Sequence, residues 1–392
     1  MKIAISGAGV AGPALAYWLC RTGHEPTLIE RASRFRTGGY VIDFWGVGYH
    51  VAERMGIGPA IREAGYQVRA IRSVGSNGRI RASLGVDTFR RASGGKFVSI
   101  RRGDLAAAIY AAVKGDVEPI FGDSITAIDE YADGVHVRFE HGQPRDFDLV
   151  IGADGLHSNV RQLTFGTESD FEHYLGCLVA ACVVDGYPDR DELVYMTHSQ
   201  PSRSVARFSL RDNRTLFLFV FRGEPPRDVN DAAACIALLR REFADGGWEC
   251  PQILAALDGV NDLYFDVVSQ IRLDRWSRGR VLLIGDAAAC VSLLAGEGTG
   301  LAITESYVLA GELLCAAGDH RQAFRAYEAR LRPFVESKQA GAENFIPVFA
   351  TQTHMGIWFR DLAMRAMNIR PLGDLLVGRS LRDEFDLPDY AM

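Results

Sequence analysis

The constraint that rules most on this chain is a glycine run at its start, closed 18 residues later by one acid. Residues 2–6 read as a buried strand that runs into Gly7-Ala8-Gly9-Val10-Ala11-Gly12. An apolar helix over 13–20 and a second strand, Thr27-Leu28-Ile29, then lead to Glu30. Gly7 allows a tight turn, Gly9 lets backbone approach a pyrophosphate, and Gly12 lets helix and strand pack closely. Val10 and Ala11 sit at the helix N-terminus, where free N–H groups and the helix dipole favour negative charge. Glu30 is placed to accept hydrogen bonds from the hydroxyls of an adenosine ribose. A merely structural turn would explain the glycines. It would not explain strand, glycines, helix, strand and acid in that order, which predicts an ADP-containing dinucleotide.

The chain's 392 residues exceed what one core holds, about 250–300 residues, so two domains are expected. Content that is 48% hydrophobic and 23% charged is that of an ordinary soluble enzyme. The net charge of −6 argues against a nucleic-acid partner. Lysine occurs only at 2, 96, 114 and 338, and the arginines are dispersed. Cysteines at 20, 177, 182, 235, 250, 290 and 315 form no CxxC pair, so reduced, packed thiols are expected and no metal site. No stretch of about 18 apolar residues predicts a membrane span, and no leader pattern opens the chain. The expectation is a cytoplasmic enzyme.

Helical periodicity covers 101–113, and strand signals follow at 124–128, 135–139 and 147–151. The last of these ends in Gly152-Ala153-Asp154-Gly155. From about 171 to 270, apolar strand candidates at 178–184, 193–196, 204–210 and 215–221 are separated by turn residues, which predicts an antiparallel sheet, with a helix at 231–245. Phe208, Phe217, Phe219 and Phe221 are candidates for its core or for a pocket wall. A buried-strand pattern returns at 280–284, ahead of Gly285-Asp286, a glycine-rich loop, and a helix over 299–315. The last 70 or so residues read as helices whose aromatics, including Phe345, Phe349, Trp358 and Phe359, are expected in core and lid packing. No second GxGxxG occurs, so any nicotinamide partner lacks a dinucleotide domain of its own.

Three separated segments now converge: Gly7 to Gly12 with Glu30-Arg31; Gly152-Ala153-Asp154-Gly155-Leu156-His157-Ser158-Asn159-Val160-Arg161; and Ile284-Gly285-Asp286-Ala287-Ala288 leading to Gly296-Glu297-Gly298. Together they resemble the fingerprints of the single-component FAD-dependent aromatic hydroxylases, the para-hydroxybenzoate hydroxylase fold. The likeness is nearest to the tetracycline-degrading and polyketide-tailoring monooxygenases, a setting of antibiotic biosynthesis or inactivation. Gly38-Gly39-Tyr40-Val41-Ile42-Asp43 and Arg101-Arg102-Gly103-Asp104-Leu105 add to the match, which spans about residues 1–320.

The resemblance implies an α/β fold. A Rossmann-like FAD-binding domain (1–70, 99–170 and 271–330) would carry an inserted antiparallel-sheet substrate domain (71–98 and 171–270), followed by C-terminal helices (331–392). It implies that Asp286, after Gly285, accepts hydrogen bonds from the ribityl hydroxyls, a charged acceptor making the stronger bond; a helix N-cap is the alternative. The loop from Gly296 through Gly298 and Thr299 would turn backbone N–H groups toward the flavin pyrimidine edge. Asp154 would support FAD and the approach of a nicotinamide, or else cap a turn with Arg161 in a surface ion pair. Arg102 and Asp43 would contact the flavin. Arg34 or Arg36 could meet a nicotinamide phosphate, although exposure in a charged loop is the simpler reading.

Two departures stand out: Ala289 replaces a histidine of the relatives, and Ser292-Leu293 replace a proline pair on their oxygen-reacting face. Cys290 nearby could link to flavin, but a packed thiol is the expectation. The implied activity is NAD(P)H-dependent (NADPH or NADH) monooxygenation. FAD carries O2 as a C4a-hydroperoxide to a small aromatic or polyketide substrate, with no protein-borne catalytic residue assigned. The alternatives are a non-redox flavoprotein that cyclises or rearranges its substrate, and a flavin-binding protein without turnover. No Trp-x-Trp-x-Ile-Pro run occurs, which disfavours a halogenase. Monomer and weak dimer both stay open.

Overall fold

The computed structural model describes residues 1–35, 38–226, 228–229, 231–260, 262–369, 373 and 385–392. Arg36 lies outside them. The runs read as buried strands lie side by side. Lys2–Ser6 pairs in parallel with Leu149–Gly152 on one side and Glu25–Glu30 on the other. Val281–Leu283 and Glu118–Phe121 extend the sheet in parallel, and Ser277–Arg278 adds a short antiparallel edge. A parallel sheet covered on both faces needs unbroken apolar strands; Ile3, Ala4, Ile5, Leu149, Val150 and Ile151 meet that demand and are fully buried. The register sets Ser6 beside both Ile29 and Gly152, and Gly152 beside Leu283. All three sequence motifs therefore leave the sheet at one edge, the carboxyl ends of its strands.

The second sheet has seven strands, in the order Tyr264–Ile271, Glu172–Asp185, Arg214–Arg222, Arg203–Leu210, Val194–Gln200, Ala70–Val74, Ile80–Gly85. It is antiparallel as expected except where Val194–Gln200 runs parallel to Ala70–Val74. Alternation decides its two faces. Phe217, Phe219 and Phe221 all point to the back, packing with Leu178, Ala180 and Cys182 against Leu239 and Phe243 of the helix Ala232–Phe243. They are core, not pocket wall. The front face carries a row running from strand to strand: Tyr264, Ala181, Leu218, Ala206, Thr197, Ser73. Four of these six side chains are small, so the row is a shallow trough, closed at its Ser73 end by the guanidinium of Arg360. Beside it runs a bulkier row, Val183, Leu216, Phe208, Tyr195, Ile71. Phe208 is buried there, with Tyr195 stacked on it at 4.4 Å.

The helix Gly298–Cys315 is apolar nearly all round and buried from Leu301 to Leu313, the pattern of a central helix. It meets the helix Gly46–Arg54 where Gly48 faces Gly300, so closely that a Cβ on Gly48 would lie 2.4 Å from the Gly300 Cα. After the helix His320–Glu343, the helix His354–Ala366 lies beside the edge strand Ile80–Gly85. Asn368 stands in for a missing neighbouring strand: its amide donates to the Ser83 carbonyl (2.6 Å) and accepts the Gly85 N–H (3.0 Å). Side-chain pairing of this kind blunts an open sheet edge.

The C-terminal aromatics correct the sequence reading. Phe349 packs against the front of the sheet with Leu293 and Tyr264, but Phe345, Trp358 and Phe359 are exposed at 43%, 60% and 54%. The helix His354–Ala366 turns Ile357 and Asp361 inward, which leaves the 355/358/359/362 stripe to solvent. All seven thiols are unpaired, and five are buried.

Replacing Gly48 by alanine puts a methyl into backbone that has no rotamer with which to yield. Overpacking of this kind costs about 1–3 kcal/mol, so Gly48→Ala should lower the urea unfolding midpoint clearly. A midpoint equal to that of the unsubstituted chain would mean that the two helices do not meet as described.

Candidate active site

The cradle begins with Gly7, whose φ of +103° a side chain would strain and whose Cβ would lie 2.5 Å from the Ala153 carbonyl oxygen. Its N–H closes on the Ile29 carbonyl at 2.7 Å. A Cβ on Gly12 would lie 2.0 Å from the Gly7 oxygen, whereas one on Gly9 would meet nothing within 4 Å. The first and third glycines are thus needed by the protein's own packing, and the second opens onto free space where a ligand's backbone contact would fall. Val10 and Ala11 are buried at the start of the helix Ala11–Arg21. Glu30 is half-buried and already anchored: the Ala8 N–H donates to one carboxylate oxygen (3.0 Å) and the Ala32 N–H to the other (2.9 Å). Those two donors fix the carboxylate at the mouth of the crevice and leave it lone pairs for hydroxyls. Arg31 and Arg34 are exposed.

Asp154 is held by its own loop. The Val160 N–H (3.0 Å), the Ser6 hydroxyl (3.2 Å) and the Ser158 hydroxyl all donate to it. Burial raises its pKa, opposed by these bonds. The acid thereby ties the second motif to the end of the first strand. Arg161 ties it to the third, and not from the surface: buried at 1% exposure, it donates to the carbonyls of Leu156 (2.6 Å) and Ala287 (3.1 Å) and to Glu168 (3.0 Å).

Beyond the crevice the chain encloses a hollow. Arg102 keeps accessible surface, yet the groups that act on its charge are internal: burial opposes its ionisation, and Tyr40, Asp286, Tyr264 and Cys290 outweigh that and raise its pKa. Asp286 answers it from the opposite strand end; burial lifts its pKa, and Arg102 and a hydrogen bond from Cys290 oppose the rise. Gly298 lies against this acid, since its Cβ would fall 3.3 Å from Oδ1. With Gly296 and Thr299 it forms the loop into the helix Gly298–Cys315, whose first N–H groups have no intrahelical partner. Asp43 lies on Val41–Trp45, accepts a hydrogen bond from Ser99 of the paired strand, and is pushed up by burial to about 6. The structure thus sorts the candidates into a crevice (Gly7 to Gly12, Glu30, Asp154), a hollow around Asp286 (Arg102, Gly285, Gly298, Thr299) and a small cavity on the other side of the same loop lined by Asp43 and Gly296, with Arg31 outside all three.

The departing segment closes the hollow. Ser292 sits at φ +122°, a region costly for a residue with a side chain, inside a fully packed stretch. The strained turn brings Leu293 into the cluster of Leu218, Tyr264 and Phe349, an apolar wall. Cys290 is buried beside Asp286 with its thiol pKa driven well above 9 by burial, so it is a packed thiol and not a nucleophile.

Three features carry no sequence signal. His157, in the second motif, joins Glu168 (2.9 Å) and Asp266 (3.2 Å), and hydrogen bonds to Asp266 and then Glu168 raise its pKa to about 10. Asp266 is buried and accepts at its other oxygen from the Tyr264 hydroxyl (3.2 Å), so hydrogen bonds run from the surface to the hollow. Glu305 lies beneath Gly285, accepts its N–H and is raised by burial to about 8. Tyr195 lies near Asp43 and Ser99. The His157–Asp266 contact spans 109 residues and leaves no mark on the local pattern.

The cradle and hollow fit an adenine-bearing flavin: an open glycine, a placed acid, and an Arg102–Asp286 pair facing one internal space. Comparison with known proteins agrees. The family described as FAD binding domain matches residues 1–340. An uncharacterized protein of Mycobacterium tuberculosis is 40% identical over 353 residues, covering 88% of this chain and 93% of that protein. A flavin-dependent monooxygenase of an unknown prokaryotic organism is 36% identical over 340 residues, covering 86% and 87%. The crystal structure of tetracycline destructase Tet(55) superposes with a TM-score of 0.86 at 32% identity, over 99% of this chain and 98% of that one.

Glu305 gives a pH signature. With its pKa raised from about 4.5 unfolded to about 8 folded, the folded chain holds a proton the unfolded chain has lost. The contribution is therefore greatest below pH 4.5, declines as pH rises to 8, and is flat beyond. Glu305→Gln, which stays neutral and can still accept from Gly285, should unfold at a midpoint that falls less between pH 5 and 8. Parallel pH curves for the two proteins would show that Glu305 is not protonated in the fold.

Proposed function

Since the chain belongs to the FAD-binding-domain family and, with its relatives, is an FAD-dependent monooxygenase, we propose that it hydroxylates an aromatic or polyketide-like small molecule at the expense of NADPH or NADH. The observation that carries this reading is the trough. Ala181, Ala206 and Thr197 leave a flat slot on the sheet's front face, floored by Leu218, closed at one end by Arg360 over the buried Ser73 hydroxyl (3.2 Å), and bordered by the partly buried rings of Tyr195, Tyr264, Tyr40 and Trp45. Rings stack on a planar guest in offset or edge-on geometry, each contact adding about 0.5–1.5 kcal/mol. Tyr40, Tyr264 and Cys290 connect the slot to Arg102 and Asp286.

The residues of the chain divide the work. Gly7 to Gly12, with Glu30, would hold the adenosine diphosphate half of FAD, and Asp286 its ribityl chain. The N–H groups from Gly298 onward would face the pyrimidine edge, where they favour negative charge. When bound, FAD supplies electron transfer from the nicotinamide and activation of O2. Apolar walls at Leu218, Leu293 and Phe349 keep water from the site. His157, held as a cation between Glu168 and Asp266, fixes the Asp266 carboxylate that accepts from the Tyr264 hydroxyl at the border of the slot. Among the described residues the six-stranded, mostly parallel sheet holds one glycine cradle, so the nicotinamide would dock at the surface and not in a second fold of its own. With no described helix long and apolar enough to cross a membrane, a cytoplasmic site of action fits.

The test is turnover by FAD-loaded protein with NADPH and with NADH under air. Polyphenolic ligands, including tetracycline-like and anthracycline-like compounds, should stimulate O2 uptake and gain one oxygen atom. Product formed without any nicotinamide and under anaerobiosis would replace this reading with a non-redox cyclase. Ligand binding without either result would leave a flavin-binding protein. Asp286→Ala should weaken FAD binding about tenfold or more, the loss of a charged hydrogen bond being worth about 1.5–3 kcal/mol, while the unfolding midpoint of the apoprotein shifts little. Unchanged FAD affinity in the variant would remove Asp286 from the site.

A further inference from the structure

One charged pair at the flavin loop is not used by the reading above. Glu297 is the residue just before the helix Gly298–Cys315, in the middle of the Gly296–Gly298 turn, and its side chain makes no capping bond to that helix. Lys338, one of only four lysines in the chain, reaches it from the helix His320–Glu343, with Nζ 2.8 Å from Oε2. Both side chains are mostly enclosed, 14% exposed for Lys338 and 18% for Glu297. They line the small cavity with Asp43, Trp45, Gly296 and Gly300, and the ammonium also lies 5.4 Å from the Phe334 ring centroid.

The position of the acid is the informative point. A hydride delivered to an oxidised flavin brings two electrons and one proton, so it leaves one net negative charge, held mainly at the pyrimidine edge. A carboxylate beside that edge opposes the charge, and an ammonium behind the carboxylate offsets the opposition. Enclosure keeps solvent from screening either effect. We propose that the Glu297–Lys338 pair sets how readily flavin in this site accepts electrons, Lys338 acting as a charge-balancing residue through Glu297. This rests on the flavin reading of the Gly296–Gly300 loop.

The test is the midpoint potential of bound FAD, measured by equilibration with redox dyes. Lys338→Met should make reduction harder, Glu297→Gln should make it easier, and the double variant should return toward the unsubstituted protein. A unit charge about 10 Å away at an effective dielectric near 20 changes such an equilibrium by about tenfold. Lys338→Arg should behave like the unsubstituted protein, which keeps the test sound if the methionine variant folds poorly. A pair that merely holds the fold together gives no such opposition of sign. Shifts in the same direction from both single variants, or none, with FAD affinity intact, would overturn the inference alone. Failure of the unsubstituted protein to bind FAD would overturn it together with the flavin reading.

Discussion

The structure depends on the register of four parallel strands. Ser6 lies beside Ile29 and Gly152, and Gly152 beside Leu283, so the first 30 residues and segments near 152 and 283 end in one line. A ligand that spans this edge touches all three motifs without any of them reaching far. The bonds crossing the line are short-range and local: the Ala153 N–H to the Ser6 carbonyl, the Ile284 N–H to the Gly152 carbonyl, Ser6 to Asp154, and Arg161 to the Ala287 carbonyl. A slip of one residue in a strand would turn its buried side chains to the other face of the sheet. The apolar runs therefore protect the site as well as the core.

Charge is handled differently in the two halves of the site. In the crevice, carboxylates are satisfied by the protein's own donors: Glu30 by two backbone N–H groups and Asp154 by one N–H and two hydroxyls. Such acids are fixed in direction before any ligand arrives, so little ordering is left for binding to do. In the hollow, ionisable groups face one another across an internal space. Arg102 stands against Asp286, Tyr40 and Tyr264, and burial in and around it pushes up Asp43, Asp286 and Glu305. Perturbed carboxylates of that kind cluster where chemistry is done, whereas on the back of the sheet burial raises thiols and a tyrosine, Cys182, Cys235, Cys250 and Tyr187, among the apolar packing.

How much of this the sequence made legible follows from how local each feature is. Gly7, Gly9 and Gly12 announce themselves because strand, turn and helix are contiguous; the structure gives each a distinct steric reason. The run at 215–221 alternates visibly, which establishes two faces but not which one looks inward. Only the packing of the helix Ala232–Phe243 on Phe217, Phe219 and Phe221 decides that. Tyr264, Asp266 and His157 were invisible because their association is a matter of tertiary approach between a strand and a loop 109 residues apart. The exposed Trp358 and Phe359 deceived for the opposite reason: aromatic content predicts burial in general, but a helix that packs by Ile357 and Asp361 has only one face to bury.

The wall opposite the sheet explains how such a site can keep its cofactor cradle while changing its guest. Three consecutive carbonyls of the C-terminal segment are held by the sheet itself: Phe349 by the Ser204 hydroxyl (2.6 Å), Ala350 by Arg222 (3.2 Å), and Thr351 by the Ser202 N–H (2.7 Å). Phe349 is therefore pinned over the trough by backbone contacts that its own side chain does not determine. The same is true of the floor, where Ala181, Ala206 and Thr197 are set by ladder pairing and not by contacts with the crevice. Substitutions at these positions reshape the slot and leave Gly7 to Gly12, Glu30 and Asp286 untouched. Fold and cofactor chemistry can then stay fixed while the substrate varies, which is why function has to be argued from the slot and not from the fold.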